Sequence, residues 1–419
     1  MTGNEQDLLP NLFRTEYQKI VAVLVRRFGI THIEVAEDIV SDTFLTATES
    51  WSHHGVPDNP TAWLYTVAKN KTKNHFKHHS LFEQKLVPEL RNSSPVSEED
   101  DIDLSNKNIS DSQLAMMFAV CNPVVPREVQ IALALNLLCG FGAQEIADAF
   151  LTNKEVVYKR INRGKEKLKE SNVKVAQPSI DEINDRLDTV LTTIYLLFSE
   201  GYYSTSQNTN LRKDFCVDAM RLNYMLIQNA ATNNPRVNAL MALMCFHASR
   251  FDARATDEGE AILYNEQDEH RWNQELIQRG KYFLNNAASG EQLSKYHLEA
   301  GIAFWHTQKT DSKEKWESIL DLYNNLLSIE YSPVAALNRA FATSKVYGKE
   351  IGIREAKKLG LEDNQFYHSL LGNLYAEGDT SMALQHYEKA LTLANSVADR
   401  TTIQKNIREV ECIREKKAL

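Results

Sequence analysis

Three groups of charged side chains in this 419-residue sequence have types and spacings that can do chemistry on a polyanion or on a charged protein surface. The first is basic. Lys69, Lys71, Lys73 and Lys77 lie in a stretch from Asn59 to Phe82 that contains no acid, with His75, His78 and His79 beside them and Trp63, Tyr65 and Phe76 interleaved. Fixed positive charge follows a phosphate backbone and aromatic faces stack on unpaired bases, so the mixture suits single-stranded or melting DNA. A lysine-rich helix end that complements its own dipole, with the aromatics in a core, accounts for the same residues. The second group is Lys154, Lys159, Arg160, Arg163, Lys165, Lys167 and Lys169, seven bases against three acids between Lys154 and Glu170. With Tyr158 and Asn162 among them, a helix of that sign and width suits the major groove. The third group is acidic. Glu34, Asp38 and Asp42 fall at i, i+4 and i+8, where like charges cost roughly a few tenths of a kcal/mol per pair. A basic partner would offset that cost; a solvated acidic face is the plainer alternative.

Helices must position all three. Ala36, Val40, Phe44, Ala47 and Trp51 recur at helical spacing and mark a buried face beside the acids. One Gly and two Pro between Ser52 and Pro60 end that helix, and Thr61–Lys69 restarts one. From 88 to 112, seven acids against two bases, with Ser, Asn and Pro between them, predict a flexible linker and a domain boundary. Beyond it, a helix over about 126–139, Gly140-Phe-Gly142, a short helix over 143–150 and a turn at 151–153 lead into the basic helix. That is a helix-turn-helix, with Ile146, Ala147, Val157 and Ile161 as its seam and Thr152 with Glu155 as the capping box that starts the last helix.

Composition narrows the field. The 47 Lys+Arg against 56 Asp+Glu leave a net charge of −9, which argues against indiscriminate polyanion binding by the whole molecule. Only 16 Gly and 10 Pro leave little punctuation for hairpins, so the chain reads as all-α. No apolar run spans a membrane and no secretion signal opens the sequence, which places the protein in the cytoplasm. Cys121, Cys139, Cys216, Cys245 and Cys412 form no CxxC pair, so buried reduced thiols are expected, with no metal site and no cofactor.

The order of motifs then carries a resemblance. Ala36-Glu-Asp-Ile-Val-Ser-Asp-Thr-Phe-Leu45, Asn59-Pro-Thr-Ala-Trp-Leu-Tyr-Thr-Val-Ala-Lys-Asn70, an acidic linker, Gln144-Glu-Ile-Ala147 and Val157-Tyr-Lys-Arg-Ile-Asn-Arg163 resemble regions two and four of a bacterial extracytoplasmic-function sigma factor of the sigma-70 family. The resemblance covers about residues 10–170. Phe118-Ala-Val-Cys-Asn-Pro123, Phe198-Ser-Glu-Gly-Tyr202, Gln267-Asp-Glu-His-Arg-Trp272 and Ser332-Pro-Val-Ala-Ala-Leu-Asn-Arg-Ala340 are similar to the subgroup with a long helical extension of tetratricopeptide-like repeats. It implies region two at 11–80, a linker at 81–112, region four at 113–172 and the extension at 173–419. It also implies two partners, core RNA polymerase and promoter DNA. Glu34, Asp38 and Asp42 would meet the polymerase clamp helices. Trp63, Lys69, Asn70, Lys71, Lys73, Asn74, His75 and Lys77 would handle the minus-ten strand. Lys154, Tyr158, Lys159, Arg160, Asn162, Arg163 and Lys165 would serve the minus-thirty-five element. The family usually has an Arg-rich stretch with an Asp where Lys71–Lys77 stands, and lysine keeps the charge but loses the planar fork.

In the C-terminal half, Leu371-Gly372-Asn-Leu-Tyr375 with Ala383, Tyr387 and Ala390 matches one tetratricopeptide repeat, and a weaker one surrounds Leu337–Phe341. Stacked helical pairs leave a groove for a regulatory protein, and the resemblance implies contact between the extension and the sigma core. Ser199–Tyr203, His247–Arg250, Asp268–His270 and Glu299 contain acid and base types without metal-ligand spacing or a nucleophile elbow, so they read as polar residues joining helices and the chain as no enzyme. A stand-alone helix-turn-helix regulator and a tetratricopeptide adaptor are the rival readings.

Overall fold

The structure, a computed structural model, describes residues 8–86, 102–150, 152–203, 209–254, 262, 264–290, 292–394 and 397–418. Eighteen α-helices and no strand occur among them. They fall into two compact units, Met1–Leu197 and Phe198–Leu419.

In the first unit, α1 (Leu8–Phe28) is the axis. Six consecutive residues, Ile20 to Val25, are at most 3% exposed, which a helix achieves only when neighbours surround it. Those neighbours are α2 (Ile33–His54), α3 (Pro60–Leu86) and α4 (Asn106–Val120). The expected apolar face of α2 is buried from Ala36 through Trp51. Gly55, at φ +80°, closes α2 by donating to Trp51 O, and Asn59 Oδ1 accepts from Ala62 N at 3.0 Å to open α3 behind Pro60. α4 starts inside the segment read as linker. Ser105 caps it, Leu114 to Val120 are all buried, and Arg26 of α1 reaches Asn108 Oδ1 at 3.2 Å. The apolar run of α4 thus packs on α1, while the most acidic residues, 98–101, lie outside the described residues.

α5 (Arg127–Leu137), α6 (Ala143–Ala149) and α7 (Lys154–Glu170) form the helix-turn-helix, and Ile146, Ala147, Val157 and Ile161 are each at most 4% exposed. The cap of α7 differs from the expectation. Asn153, in extended backbone, accepts from Glu155 N at 2.8 Å, whereas Thr152 donates its own N–H to Ala147 O within the turn. Gly164 lets α7 lie close on α5, since a Cβ there would sit 2.6 Å from Val129 Cγ1. α8 (Ile180–Tyr203) begins in the first unit, where Thr193 donates to Gln130 Oε1 of α5 at 3.3 Å.

The second unit continues with α9 (Thr209–Gln228) and then α10 (Pro235–Ala248), whose residues from Val237 to Phe246 are all at most 5% exposed. Around α10 lie α11 (Gln274–Ala287) and α12 (Lys295–Trp305), and Gly280 admits the Phe246 ring where a Cβ would approach to 2.5 Å. Helical pairs follow: α13 (Lys313–Ile329), α14 (Pro333–Tyr347), α15 (Lys349–Lys357), α16 (Gln365–Tyr375), α17 (Thr380–Leu393) and α18 (Val397–Ala418). Small residues set their spacing: Gly372 lies against the Tyr387 ring, and Ala383 and Ala390 are fully buried. Four cysteines are buried as expected, but Cys412, on the outer face of α18, is exposed. No described helix is long and apolar enough to cross a membrane.

His306, just past α12, lies against Tyr264 and Trp316 at 5.2 and 6.1 Å between ring centroids. Desolvation, followed by Arg250 and Lys315, lowers its pKa from 6.5 to about 3. The folded chain therefore refuses a proton that the unfolded chain binds, so stability rises with pH. This contribution is complete above about 6.5 and is lost as pH falls from there, at about 1.4 kcal/mol per pH unit. Urea denaturation at pH 7.0 and 5.5 should show a smaller pH loss in His306→Gln than in the parent chain; equal losses would exclude His306 as a source.

Candidate nucleic-acid interface

The three charged groups all lie in the first unit, and the structure pairs the acidic group with both basic ones. On α2, Glu34 receives a hydrogen bond from Lys169 Nζ, and both carboxylate oxygens of Glu37 receive bonds from Lys165 Nζ at 2.6 and 2.8 Å. Asp42 is paired with Lys71 of α3 at 2.5 Å. Asp38 is exposed. Burial pushes the Glu34 carboxyl up, but the Lys169 hydrogen bond and the charges of Lys169 and Lys165 outweigh it and hold the group below its ordinary value. Lys165 is only 8% exposed, so among the residues expected to serve DNA it is set apart by its burial against α2.

Glu37 is the member of this charged contact that the sequence did not single out. It stands off the i, i+4, i+8 row, three residues after Glu34. The signal was a match of periods: acids at i, i+3 on α2 face bases at i, i+4 on α7, both one helical turn apart.

α7 is thereby divided along its length. Its C-terminal half sends Lys165 and Lys169 to α2, whereas Lys154, Tyr158, Lys159 and Arg163 toward its N-terminal half are exposed, with Arg160 and Asn162 partly so. Tyr158 is 58% exposed, unusual for an aromatic on a packed helix, and it shares a face with Lys159, Asn162 and Arg163. That face offers hydrogen-bond donors, an amide and an aromatic ring together, which suits base edges and phosphates.

α3 sorts its residues similarly. Asn70, Lys73, Asn74 and Lys77 fall at i, i+3, i+4 and i+7 and all are exposed, with His75 beside them. Lys69 and Lys71 are partly buried, and Lys71 belongs to Asp42. The aromatics mostly face inward: Phe76 stacks on Phe28 at 3.9 Å, Tyr65 donates to Glu16 Oε2 at 2.6 Å, and Trp63 packs edge-on against Trp51 at 5.5 Å. Trp63 is half-buried, so part of its ring is still open. The side chains of His78 and His79 lie outside the described residues.

Comparison with known proteins follows the same boundaries. Residues 12–81, from α1 through most of α3, match Sigma-70 region 2. A stretch 32% identical over 72 residues, 17% of this chain and 40% of the other, is shared with the RNA polymerase sigma factor YlaC of Bacillus subtilis (strain 168). The chain thus carries a Sigma-70 region 2 domain. Over 390 residues it is 30% identical to an uncharacterized protein of Rhizobium meliloti (strain 1021), covering 92% of this chain and 91% of that one, so the two belong to one family. Residues 186–288 match a family of unknown function (DUF6596). No solved structure matches the chain. The acids on α2 and the exposed stripe of α3 thus both fall within region 2, while the docked lysines come from beyond it.

Because Lys165 and Glu37 are mostly buried, breaking their pair leaves a charge in a poorly solvated place, which costs more than an exposed pair. Glu37→Gln should lower the stability of the first unit by about 1–2 kcal/mol. The exchange Glu37→Lys with Lys165→Glu should recover at least half of what either single change loses. Denaturant titration of the four chains decides this, and additive losses would show that the pair does not interact.

Proposed function

We propose that this protein is an RNA polymerase sigma factor of the extracytoplasmic-function group, which binds bacterial core polymerase in the cytoplasm and directs it to promoters. The observation that carries the reading is the Sigma-70 region 2 match over 12–81, which coincides with a helix bearing an acidic row and a second helix bearing an exposed basic and amide stripe. The likeness to a protein named as an RNA polymerase sigma factor supports it. In this reading Glu34, Asp38 and Asp42 face the clamp helices. Asn70, Lys73, Asn74, His75 and Lys77, with Trp63 and Lys69, handle the minus-ten strand as it opens. The outward half of α7, with Lys154, Tyr158, Lys159, Arg160, Asn162 and Arg163, reads the minus-thirty-five element. Polymerase supplies the chemistry of synthesis.

The ion pairs add a constraint to this reading. Glu34, Glu37 and Asp42 already hold Lys169, Lys165 and Lys71, so a basic surface on polymerase must displace those lysines to reach them. Polymerase binding would then release the C-terminal half of α7 from α2 and allow the two DNA-binding helices to separate. The second unit is read as a regulatory extension built of tetratricopeptide-like pairs, of which α16 and α17, with Gly372 against Tyr387, fit the pattern best. Its roles are contact with the sigma core and docking of a regulatory protein.

Pull-down of the full chain with bacterial core polymerase tests the reading. Asp38→Lys with Asp42→Lys should abolish capture, and Lys169→Met, which frees the more exposed Glu34, should strengthen it up to about fivefold, since an exposed pair holds back roughly 0.2–1 kcal/mol. Capture that survives the charge reversal, or no capture of the parent and of both variants, would contradict it.

A further inference from the structure

The second unit contains a cavity of about 510 Å³ between the segment matching the family of unknown function and the C-terminal helices. Its wall brings together side chains from α8, from the end of α10 and the turn after it, from the segment around Tyr264, and from α16 and α18. Three buried polar atoms on this wall have no hydrogen-bond partner: Arg250 Nε, Gln267 Oε1 and Gln365 Oε1. A buried polar atom left unpaired costs about 1–3 kcal/mol, and native folds leave few, so three on one cavity wall call for an occupant.

The opposite ends of these side chains are fixed. Gln267 Nε2 donates to Ile262 O at 3.4 Å and Gln365 Nε2 donates to Asp399 Oδ2 at 2.9 Å, which leaves each amide oxygen as the acceptor. The Arg250 guanidinium lies over the Tyr264 ring at 5.5 Å. Arg254 donates to Tyr202 O at 3.0 Å and stacks on the Tyr202 ring at 3.9 Å. Among the described residues the wall carries two guanidinium groups and one carboxylate, Asp399. His247, also in the wall, adds no charge: desolvation, then Arg250 and Arg254, hold its pKa well below the ordinary value. A ligand that satisfies this wall must offer an anionic acceptor to Arg250 and O–H or N–H donors to Gln267 and Gln365. Cavities of this size take small molecules.

We propose that this cavity binds a small carboxylate bearing hydroxyl or amino donors, a hydroxy acid or an amino acid, and that the extension thereby carries a metabolite site. The donors and acceptors needed are set by Arg250, Gln267 and Gln365, and the aromatic faces of Tyr202 and Tyr264 fix the arginines that receive the carboxylate. Nothing in this assignment depends on the sigma reading of the first unit.

Thermal denaturation of the full chain with citrate, L-glutamate or D-glucuronate, at constant ionic strength, tests it. At least one of the three should raise the melting temperature saturably, and sodium acetate, which has the charge but no donors, should not match it. Arg250→Gln should weaken the effective ligand at least tenfold. Gln365→Met, at a partly exposed position less critical to folding, should weaken it at least threefold. No saturable response to any of the three acids, an equal response to acetate, or an undiminished response in a folded Gln365→Met chain would overturn the assignment and leave the cavity to solvent.

Discussion

Two lysines, Lys165 and Lys169, tie the basic helix α7 to the acidic face of α2 in the first unit. Each lies on a basic helix that would repel itself along its length, and each is drawn onto the acidic face of α2. Like charge on α2 and like charge on α7 are both unfavourable in isolation; placed against each other they become mutually stabilising. The contact is one helical turn long on both sides. It leaves the N-terminal half of α7 exposed with Tyr158, Lys159 and Arg163 outward, and it covers part of the acidic face that, in the proposed function, polymerase must reach. In the proposed function, a surface that serves a partner is thus held by the chain's own charges until a stronger basic surface arrives.

The second unit is built on a different constraint, close approach. α10 is buried along ten consecutive residues, and its neighbours can pack on every side only where Gly280 and a series of alanines remove side-chain volume. The same device recurs at Gly372 and at Gly352, where a Cβ would stand 2.4 Å from Ser344 Cβ. Against this close packing the cavity around Arg250 presents a polar wall. Arg250 Nε and the amide oxygens of Gln267 and Gln365 are left there without partners, and each such buried atom carries a desolvation cost.

Helical periodicity made much of this visible in the sequence. The buried face of α2, the helix-turn-helix seam and the outward row on α7 follow from spacing within one helix, and the structure keeps them. What spacing could not show depends on partners far away in the chain. Phe76 and Tyr65, which suit base stacking by type, turn inward because Phe28 and Glu16 of α1 receive them. Lys165 reads as one more base on a basic helix until Glu37, 128 residues earlier, is brought beside it. Asn153 replaces Thr152 as the cap because the turn before α7 is one residue longer than the capping box assumes. In the second unit, Tyr202, His247 and Arg250 were visible as polar types, but the cavity they share with α16 and α18 exists only once those helices return.

The central claim is that the α2 face and the C-terminal half of α7 occupy each other until polymerase separates them. A pulsed electron-spin distance between labels at Glu49 and Glu166, both exposed, in a chain carrying Cys412→Ser measures this directly. The free chain should give one short, narrow distribution that shifts to longer distances when core polymerase is added, and raised salt should broaden it in the same direction. A distribution that stays unchanged in a polymerase complex would contradict the account.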